Sequence, residues 1–320
     1  MTSIVFMGTP TFAAPILEGL IAENYNVLAV VTQPDRPVGR KRILTPSPVK
    51  QVALKHGIEV LQPQKLSGSP EMARVIALQP DLIVTAAFGQ FLPTKLIAAA
   101  KVAAINVHGS LLPKYRGGAP VQYAIMNGDA KTGVTIIYMV KEMDAGDMLA
   151  QAELPIGPKD DTGSIFEKMS VLGKKTLLET IPKLLAGQIE PQKQVEEQVI
   201  FSPTIKPAEE KLSLKMTAKQ IDWKTRALRP APGAYFEKFN GKRTKLWEVT
   251  PLDETTELKP GTVVAITKHE LKLAAAAGSV YQINELQPAG KPKMKVRDYL
   301  NGMGQGLKKG QVIIVDEQEN

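Results

Sequence analysis

Through the first 190 residues, short unbroken apolar runs alternate with stretches whose apolar residues recur at helical spacing. Runs at 3–6, 27–31, 82–85 and 103–107 predict strands, with a shorter one at 59–61. Between them the pattern predicts helices. One begins near residue 12 with Thr11 as its cap, and one is opened by Pro48 and closed by Gly57. Others fit 70–78, 93–100 and 163–186. Strands that are apolar throughout, alternating with helices, imply a mostly parallel sheet covered on both faces. Two further strands, 133–138 and 148–154, bracket an acidic loop.

The pattern changes after Gly187. Residues 190–206 are polar, interrupted by Pro191 and Pro203, and read as a linker between a first domain, 1–189, and a second, 207–320. The second domain offers one helix, 216–228, and then the breaker Pro230-Ala231-Pro232-Gly233. Short strands follow at 234–239, 245–249, 261–266, 271–275, 280–286 and 312–315, separated by Gly and Pro turns. The fold class expected is therefore α/β, a Rossmann-like first domain joined to an OB-like β-barrel.

Composition narrows the chemistry. A chain of 320 residues with 43% hydrophobic content suits a two-domain globular protein. Cysteine is absent, so disulfides, thiolate metal sites and a cysteine nucleophile are excluded. No segment has the roughly 18 consecutive apolar residues of a membrane span, and no basic stretch with a long apolar run opens the chain. A cytoplasmic monomer without membrane contact is the expectation. The net charge of +8 and pI of about 9.4 leave two readings open, a lysine-rich surface or a polyanion partner. Distribution adds to the second: residues 205–250 hold 11 Lys/Arg against 5 Asp/Glu. Arg36, Arg40, Lys41 and Arg42 crowd a Pro- and Gly-containing stretch within 33–47 that reads as an exposed loop.

Candidate chemistry centres on Asn106-Val107-His108 and on Asp144 within Met143-Asp144-Ala145-Gly146-Asp147. On a strand, spacing i, i+2 puts Asn106 and His108 on one face. They lie at a carboxyl strand end, where ligands bind in open α/β sheets. When an amine attacks a carbonyl, oxygen becomes negative and nitrogen positive. An amide N–H or an imidazolium can hold the oxyanion. An imidazole with an ordinary pKa near 6.5 can move the proton, and a carboxylate can orient it. Which ring nitrogen carries the proton is not legible in sequence.

The other histidines read as structure, His56 at a helix end and His269 in a turn, so a metal site is not expected. The turn Gly8-Thr9-Pro10-Thr11 lacks the second and third glycines of a dinucleotide fingerprint, so NAD is not expected either. Phe88-Gly89-Gln90-Phe91 follows a strand and reads as core or as the rim of a flat-ring pocket.

Together these stretches resemble the methionyl-tRNA formyltransferases over nearly the whole chain. The most specific blocks are Thr32-Gln33-Pro34-Asp35-Arg36-Pro37-Val38-Gly39-Arg40, Asn106 through Pro113, Tyr115-Arg116-Gly117-Gly118-Ala119-Pro120, Gly128-Asp129 and Thr132-Gly133-Val134-Thr135. The Asn-x-His plus Asp pattern is common to folate-dependent formyltransferases, whereas the basic loop and the second domain are particular to the tRNA enzymes. The resemblance implies formyl transfer from 10-formyltetrahydrofolate, as cosubstrate, to the amino group of methionine on initiator tRNA. It implies that Asn106 and His108 polarise the formyl oxygen and handle the proton, with Asp144 assisting through His108 or a water. Ser110, Leu111, Leu112 and Pro113 would bind the folate, with Phe88, Gly89, Gln90 and Phe91 bordering its ring. Arg36, Arg40, Lys41 and Arg42 would contact the tRNA acceptor stem, and the second domain would grip tRNA through a basic face.

Three blocks depart from the family pattern. The usual Gly-Leu-Asp-Thr-Gly-Asp stands as Glu142-Met143-Asp144-Ala145-Gly146-Asp147. The usual Ile-Asp-Trp stands as Leu212-Ser213-Leu214, and Asn-Pro-Trp-Pro as Arg229-Pro230-Ala231-Pro232. Both later changes delete a tryptophan, with Trp223 the candidate replacement. Two other functions remain: a folate formyltransferase acting on glycinamide ribonucleotide or a sugar nucleotide, and an RNA-binding protein with an inactive first domain.

Overall fold

The computed structural model describes residues 1–39 and 41–315. Contacts divide them into two compact units. The first comprises Met1–Pro120, Lys131–Pro155 and Ile165–Pro203. The second comprises Val121–Ala130, Ile156–Ser164 and the chain from Thr204 onward.

The first unit is built on a seven-stranded sheet. In spatial order its strands are Met148–Pro155, Lys131–Tyr138, Ala103–His108, Leu82–Ala86, Ser3–Gly8, Asn26–Val31 and Glu59–Leu61. The last five run parallel to one another, and the first two are antiparallel. The inner strands are apolar because both faces are covered: all five residues of Leu82–Ala86 are buried. Met148–Pro155, at the sheet edge, alternates half-buried and exposed positions instead. One face rests on a cluster including Val5, Met7, Ile83, Phe88, Leu92 and Leu96.

Local signals set several helix starts. Ser47 accepts from the Lys50 backbone N–H ahead of helix Pro48–Lys55, and Ser69 does the same from Met72 ahead of Pro70–Leu78. In both, proline occupies the first turn, where its missing N–H costs nothing. Two sequence expectations are corrected. Thr11 does not cap the first helix; the chain makes an extra turn there and Ala14–Ala22 begins after Ala13. The 33–47 stretch is not a plain loop. Arg36–Val38 and Ile43–Thr45 pair as a hairpin, its base pinned where Lys50 meets both Asp35 (2.7 Å) and Gln62 (2.8 Å).

The second unit is an antiparallel sheet in the order Tyr235–Phe239, Lys242–Thr255, Ser279–Pro288, Leu271–Ala274, Val263–Ile266, with Met294–Lys295 also pairing Ser279–Pro288. Its two edges are joined by the C-terminal segment. Phe239 bridges Ile314 and Thr262 bridges Val312. The expected last strand thus closes the barrel, which removes the unpaired edges an open sheet would present. Phe236, Phe239, Leu246, Leu273, Ile283 and Ile314 fill the interior.

The two missing tryptophans resolve differently from expectation. Leu212 is fully buried in this core and Leu214 packs beside it. Trp223 does not replace them: its ring lies against Gly128, where an added Cβ would come within 2.5 Å. Arg229 holds the altered proline segment by bonding Asp161 (2.6 Å) and the Trp247 carbonyl (2.9 Å).

Within the first unit, Asp81 accepts from both the backbone N–H and the hydroxyl of Ser3 (2.8 Å each), tying the starts of two neighbouring strands. The backbone bond is the chief reason its carboxyl lies below the usual carboxylate range. A group whose pKa is depressed by folding contributes stability above its unfolded value, and that contribution is lost as pH falls through the folded value. Asp81→Ala should therefore lower the melting temperature at pH 7, with the gap to wild type narrowing below about pH 4. A gap independent of pH would contradict this account.

Candidate active site

Strand Ala103–His108 is central in its sheet, with Thr85 opposite Asn106 on one side and Ile137 on the other. Its alternation puts Asn106 and His108 on one face, as the spacing predicts, with Val107 buried on the opposite one. Asp144 arrives from the turn between Lys131–Tyr138 and Met148–Pro155. The structure brings the three together. Asp144 Oδ1 lies 3.4 Å from Asn106 Nδ2 and 3.6 Å from His108 Nδ1.

The surroundings fix the chemistry of each group. His108 is 5% exposed, and its Nε2 lies 2.9 Å from the Tyr115 carbonyl oxygen. A carbonyl only accepts, so Nε2 carries the hydrogen. In the neutral ring Nδ1 is then the bare nitrogen, and it faces Asp144. The Asn106 amide is oriented by the same reasoning. Its Nδ2 faces a carboxylate, and its Oδ1 accepts from the buried Thr85 hydroxyl at 2.7 Å. Asp144 Oδ2 accepts from the Gly117 N–H at 3.0 Å.

This arrangement holds backbone in costly conformations. Tyr115 (φ 66°) and Asp144 (φ 50°) are both left-handed, a cost of roughly 1–2 kcal/mol for a residue with a Cβ. Gly117 (φ 125°) needs to be glycine on space alone, because an added Cβ would sit 2.7 Å from the Ser202 carbonyl oxygen. Gly146 is constrained similarly: its Cβ would fall 1.8 Å from the Tyr138 carbonyl oxygen. The loop glycine absent here falls at Glu142, an exposed position outside the left-handed region. Its replacement leaves the approach of Asp144 intact.

The other expected site residues divide. Ser110 and Leu112 are buried and act in the turn itself. The Ser110 hydroxyl donates to the Lys114 carbonyl (2.7 Å), and Leu112 N–H donates to Thr135 Oγ1 (3.2 Å). Leu111 and Pro113 are half-buried and retain free surface. Phe88 is core, at 4% exposure. Gln90 turns toward the 63–66 loop, accepting from Leu66 N–H (2.7 Å) and donating to the Pro63 carbonyl (3.1 Å). That leaves Gly89 and Phe91 exposed, beyond the end of the strand that carries Thr85. Arg36, Lys41 and Arg42 are exposed on the hairpin; Arg40 lies outside the described residues.

Three residues of the site carry no signal in the sequence that singles them out. Thr85 sits in an apolar strand, and Arg116 stands out only as a member of the Tyr115–Pro120 block. Gln194 falls in the expected linker, yet it is 8% exposed and donates to the Asp144 carbonyl. His56 follows helix Pro48–Lys55, and His269 lies exposed between two strands. Among the described residues, no cluster of three or more His, Cys, Asp or Glu side chains could hold a metal. Nor is any described helix long and apolar enough to cross a membrane.

Residues 1–181 match the formyl transferase family model, and residues 204–304 match that of the formyl transferase C-terminal domain. The chain is 73% identical over 318 residues to methionyl-tRNA formyltransferase of Ligilactobacillus salivarius, covering 99% of this chain and all of that one. Among solved structures it resembles WlaRD, a sugar 3N-formyl transferase, with a TM-score of 0.68 and 17% identity, over 91% of this chain and 99% of that one. It also resembles HypX from Aquifex aeolicus, solved with tetrahydrofolic acid, at TM-score 0.63 and 18% identity. That match covers 96% of this chain and 48% of HypX, so the chain spans about half of HypX's length. At these identities the two structures establish shared fold.

The clash at Gly146 is with backbone, so no side-chain movement can relieve it. Gly146→Ala should destabilise the first unit by about 1–3 kcal/mol or more, seen as a lowered midpoint in thermal denaturation. An unchanged midpoint would show that the Asp144 loop is not held against Tyr138.

Proposed function

The chain belongs to the methionyl-tRNA formyltransferases, and on that premise we propose that it moves the formyl group of 10-formyltetrahydrofolate onto the amino group of methionine carried by initiator tRNA, with Asn106, His108 and Asp144 as the reacting site. The observation that carries this reading is the convergence of Asn106 Nδ2, His108 Nδ1 and Asp144 Oδ1 within 3.6 Å at the end of one strand.

The amine nitrogen attacks the formyl carbon, a C–N bond forms, and the carbonyl electron pair moves to oxygen. Asn106 Nδ2 donates to that oxyanion. The amine's proton passes to His108 Nδ1, the nitrogen left bare by the Tyr115 contact. The resulting N–H then faces Asp144, whose negative charge stabilises the imidazolium. The tetrahedral adduct collapses, the bond to folate N10 breaks, and N10 leaves with the proton returned from His108, which regenerates the neutral ring. The net change is a formyl group and a proton exchanged between two nitrogens. Leu111, Pro113, Gly89 and Phe91 supply the surface still available to the folate, while Ser110, Leu112, Phe88 and Gln90 shape the backbone beneath it.

The tRNA contact rests on charge and exposure. Arg36, Lys41 and Arg42 project from the hairpin beside Ile43 (61% exposed) and Leu44 (64% exposed), and among the described residues no ion pair engages those three cations. In the second unit, strand Lys242–Thr255 places Arg243, Lys245 and Trp247 on one face, with Thr244 and Leu246 buried on the other. Arg243 lies 3.6 Å from the Tyr235 ring centre, and Lys293 and Lys245 lie 5.7 and 6.0 Å from that of Trp247. Cations beside aromatic faces suit both phosphate and exposed bases. The enzyme so read is cytoplasmic, and a chain without cysteine suits a reducing compartment; a monomer is the state this reading assigns it.

His108→Ala and Asp144→Ala should each lower turnover by about 10²–10⁴-fold while leaving tRNA affinity near wild type. Retention of more than about a tenth of the wild-type rate by either variant contradicts the assignment. Offered glycinamide ribonucleotide in place of methionyl-tRNA, the enzyme should form no product; efficient formylation of it would favour the other reaction. Arg36→Ala/Arg42→Ala should weaken tRNA binding and flatten the plot of log affinity against log salt by about 0.7–0.9 for each phosphate no longer neutralised. An unaltered slope would place these arginines away from the phosphates.

A further inference from the structure

The segment expected as a linker is instead fastened to the first unit as far as Pro203. Gln192 exchanges two backbone bonds with Met148 (2.8 and 2.9 Å), and Ile200–Phe201 pairs in parallel with Lys114–Arg116. Between these points Gln194 turns inward. Its Nε2 donates to the carbonyl of Asp144 and to that of Gly146, each at 2.8 Å. Its Oε1 accepts from Arg116 Nε at 2.9 Å. Carbonyls only accept and a guanidinium only donates, so this amide has one possible orientation.

Arg116 is itself held. It is 5% exposed and forks onto Glu196, at 2.8 and 3.3 Å. Those hydrogen bonds hold the Glu196 carboxyl below the usual carboxylate range. A continuous relay therefore runs from Glu196 through Arg116 and Gln194 to the carbonyls of Asp144 and Gly146, on the C-terminal half of the turn. The same strap reaches the opposite wall: the Ser202 N–H donates to the Arg116 carbonyl (2.8 Å), and its hydroxyl to the Tyr115 carbonyl (3.1 Å) that also receives His108.

We propose that Gln194 is a positioning residue for the transfer reaction: it holds the Asp144 turn in its left-handed conformation, so that the carboxylate meets His108 Nδ1 and Asn106 Nδ2. The proposal rests on the reading of Asp144 as part of the reacting site. Gln194 touches neither reacting partner in that reading; it acts through the backbone of residues 144 and 146. Loss of its two donors frees a turn that positive φ at Asp144 disfavours. Carboxylate displacement on the scale of an ångström is enough to cost about 10²-fold in rate.

The test is a double-mutant cycle in the full-length enzyme, with kcat and both KM values measured for Gln194→Ala, Gln194→Glu, Asp144→Asn and the combined Gln194→Ala/Asp144→Asn. Gln194→Glu keeps the size and the Arg116 interaction but turns a carboxylate on two carbonyls, and it carries the test if the alanine variant fails to fold. The expected result is a kcat loss of about 10- to 100-fold in the Gln194 variants with KM values near wild type. The combined variant should be no slower than Asp144→Asn alone, because the two residues act as one unit. Near-normal kcat in Gln194→Glu, or a loss that multiplies with that of Asp144→Asn, would overturn the proposal, since a general structural defect adds independently. Wild-type turnover in Asp144→Asn would instead remove the underlying reading, and the two failures are told apart by that single variant.

Discussion

The structure of the site depends on one clamped imidazole. His108 is gripped at Nε2 by the Tyr115 carbonyl, which leaves Nδ1 as the nitrogen facing Asp144. That single interaction decides the tautomer, and the tautomer decides which nitrogen can take a proton. Much of the surrounding chain serves it. Tyr115 and Asp144 are held at positive φ, and Gly117 and Gly146 permit backbone approaches that no side chain would allow. Such local strain persists where neighbouring packing over-determines it, and here that packing is the 192–203 strap.

The sheet explains why these parts meet. Apolar inner strands must be covered on both faces, which fixes the order of the layers and leaves the strand ends as the accessible surface. Asn106 and His108 emerge at one such end, and Thr85 emerges from the adjacent strand in register with Asn106. The two antiparallel strands beyond deliver the Asp144 turn to the same place. In the second unit the constraint is closure. The 312–314 segment joins both edges, so a barrel interior forms without the tryptophans common elsewhere in the family.

How much of this is legible in the sequence varies with the kind of signal. Runs of apolar residues locate all seven strands of the first sheet: continuous burial marks the inner ones, such as Leu82–Ala86, whereas the edge strand Met148–Pro155 is marked by alternation. The i, i+2 spacing of Asn106 and His108 survives intact for the same geometric reason. The 36–45 hairpin escapes such a reading because each strand has three residues, one of them contains Pro37, and the apolar Ile43 and Leu44 of the other are exposed. Gln194 is illegible for a deeper reason. Its role consists of three bonds to groups 48 to 78 residues away, and nothing local distinguishes it from any polar residue in a connecting stretch. For Phe88 the local sequence leaves core and pocket rim both open, and packing decides for the core; the Gln90 amide is taken up by the 63–66 loop, a contact between residues too far apart for local sequence to show.

The state of the His108 ring is open to direct observation. With only three histidines in the chain, ¹⁵N NMR of the histidine-labelled protein gives separable ring signals. In the neutral ring, His108 should carry its proton on Nε2 and leave Nδ1 bare. A proton on Nδ1 with Nε2 bare would mean that the Tyr115 clamp does not hold, and that the proton is not taken up at the nitrogen facing Asp144.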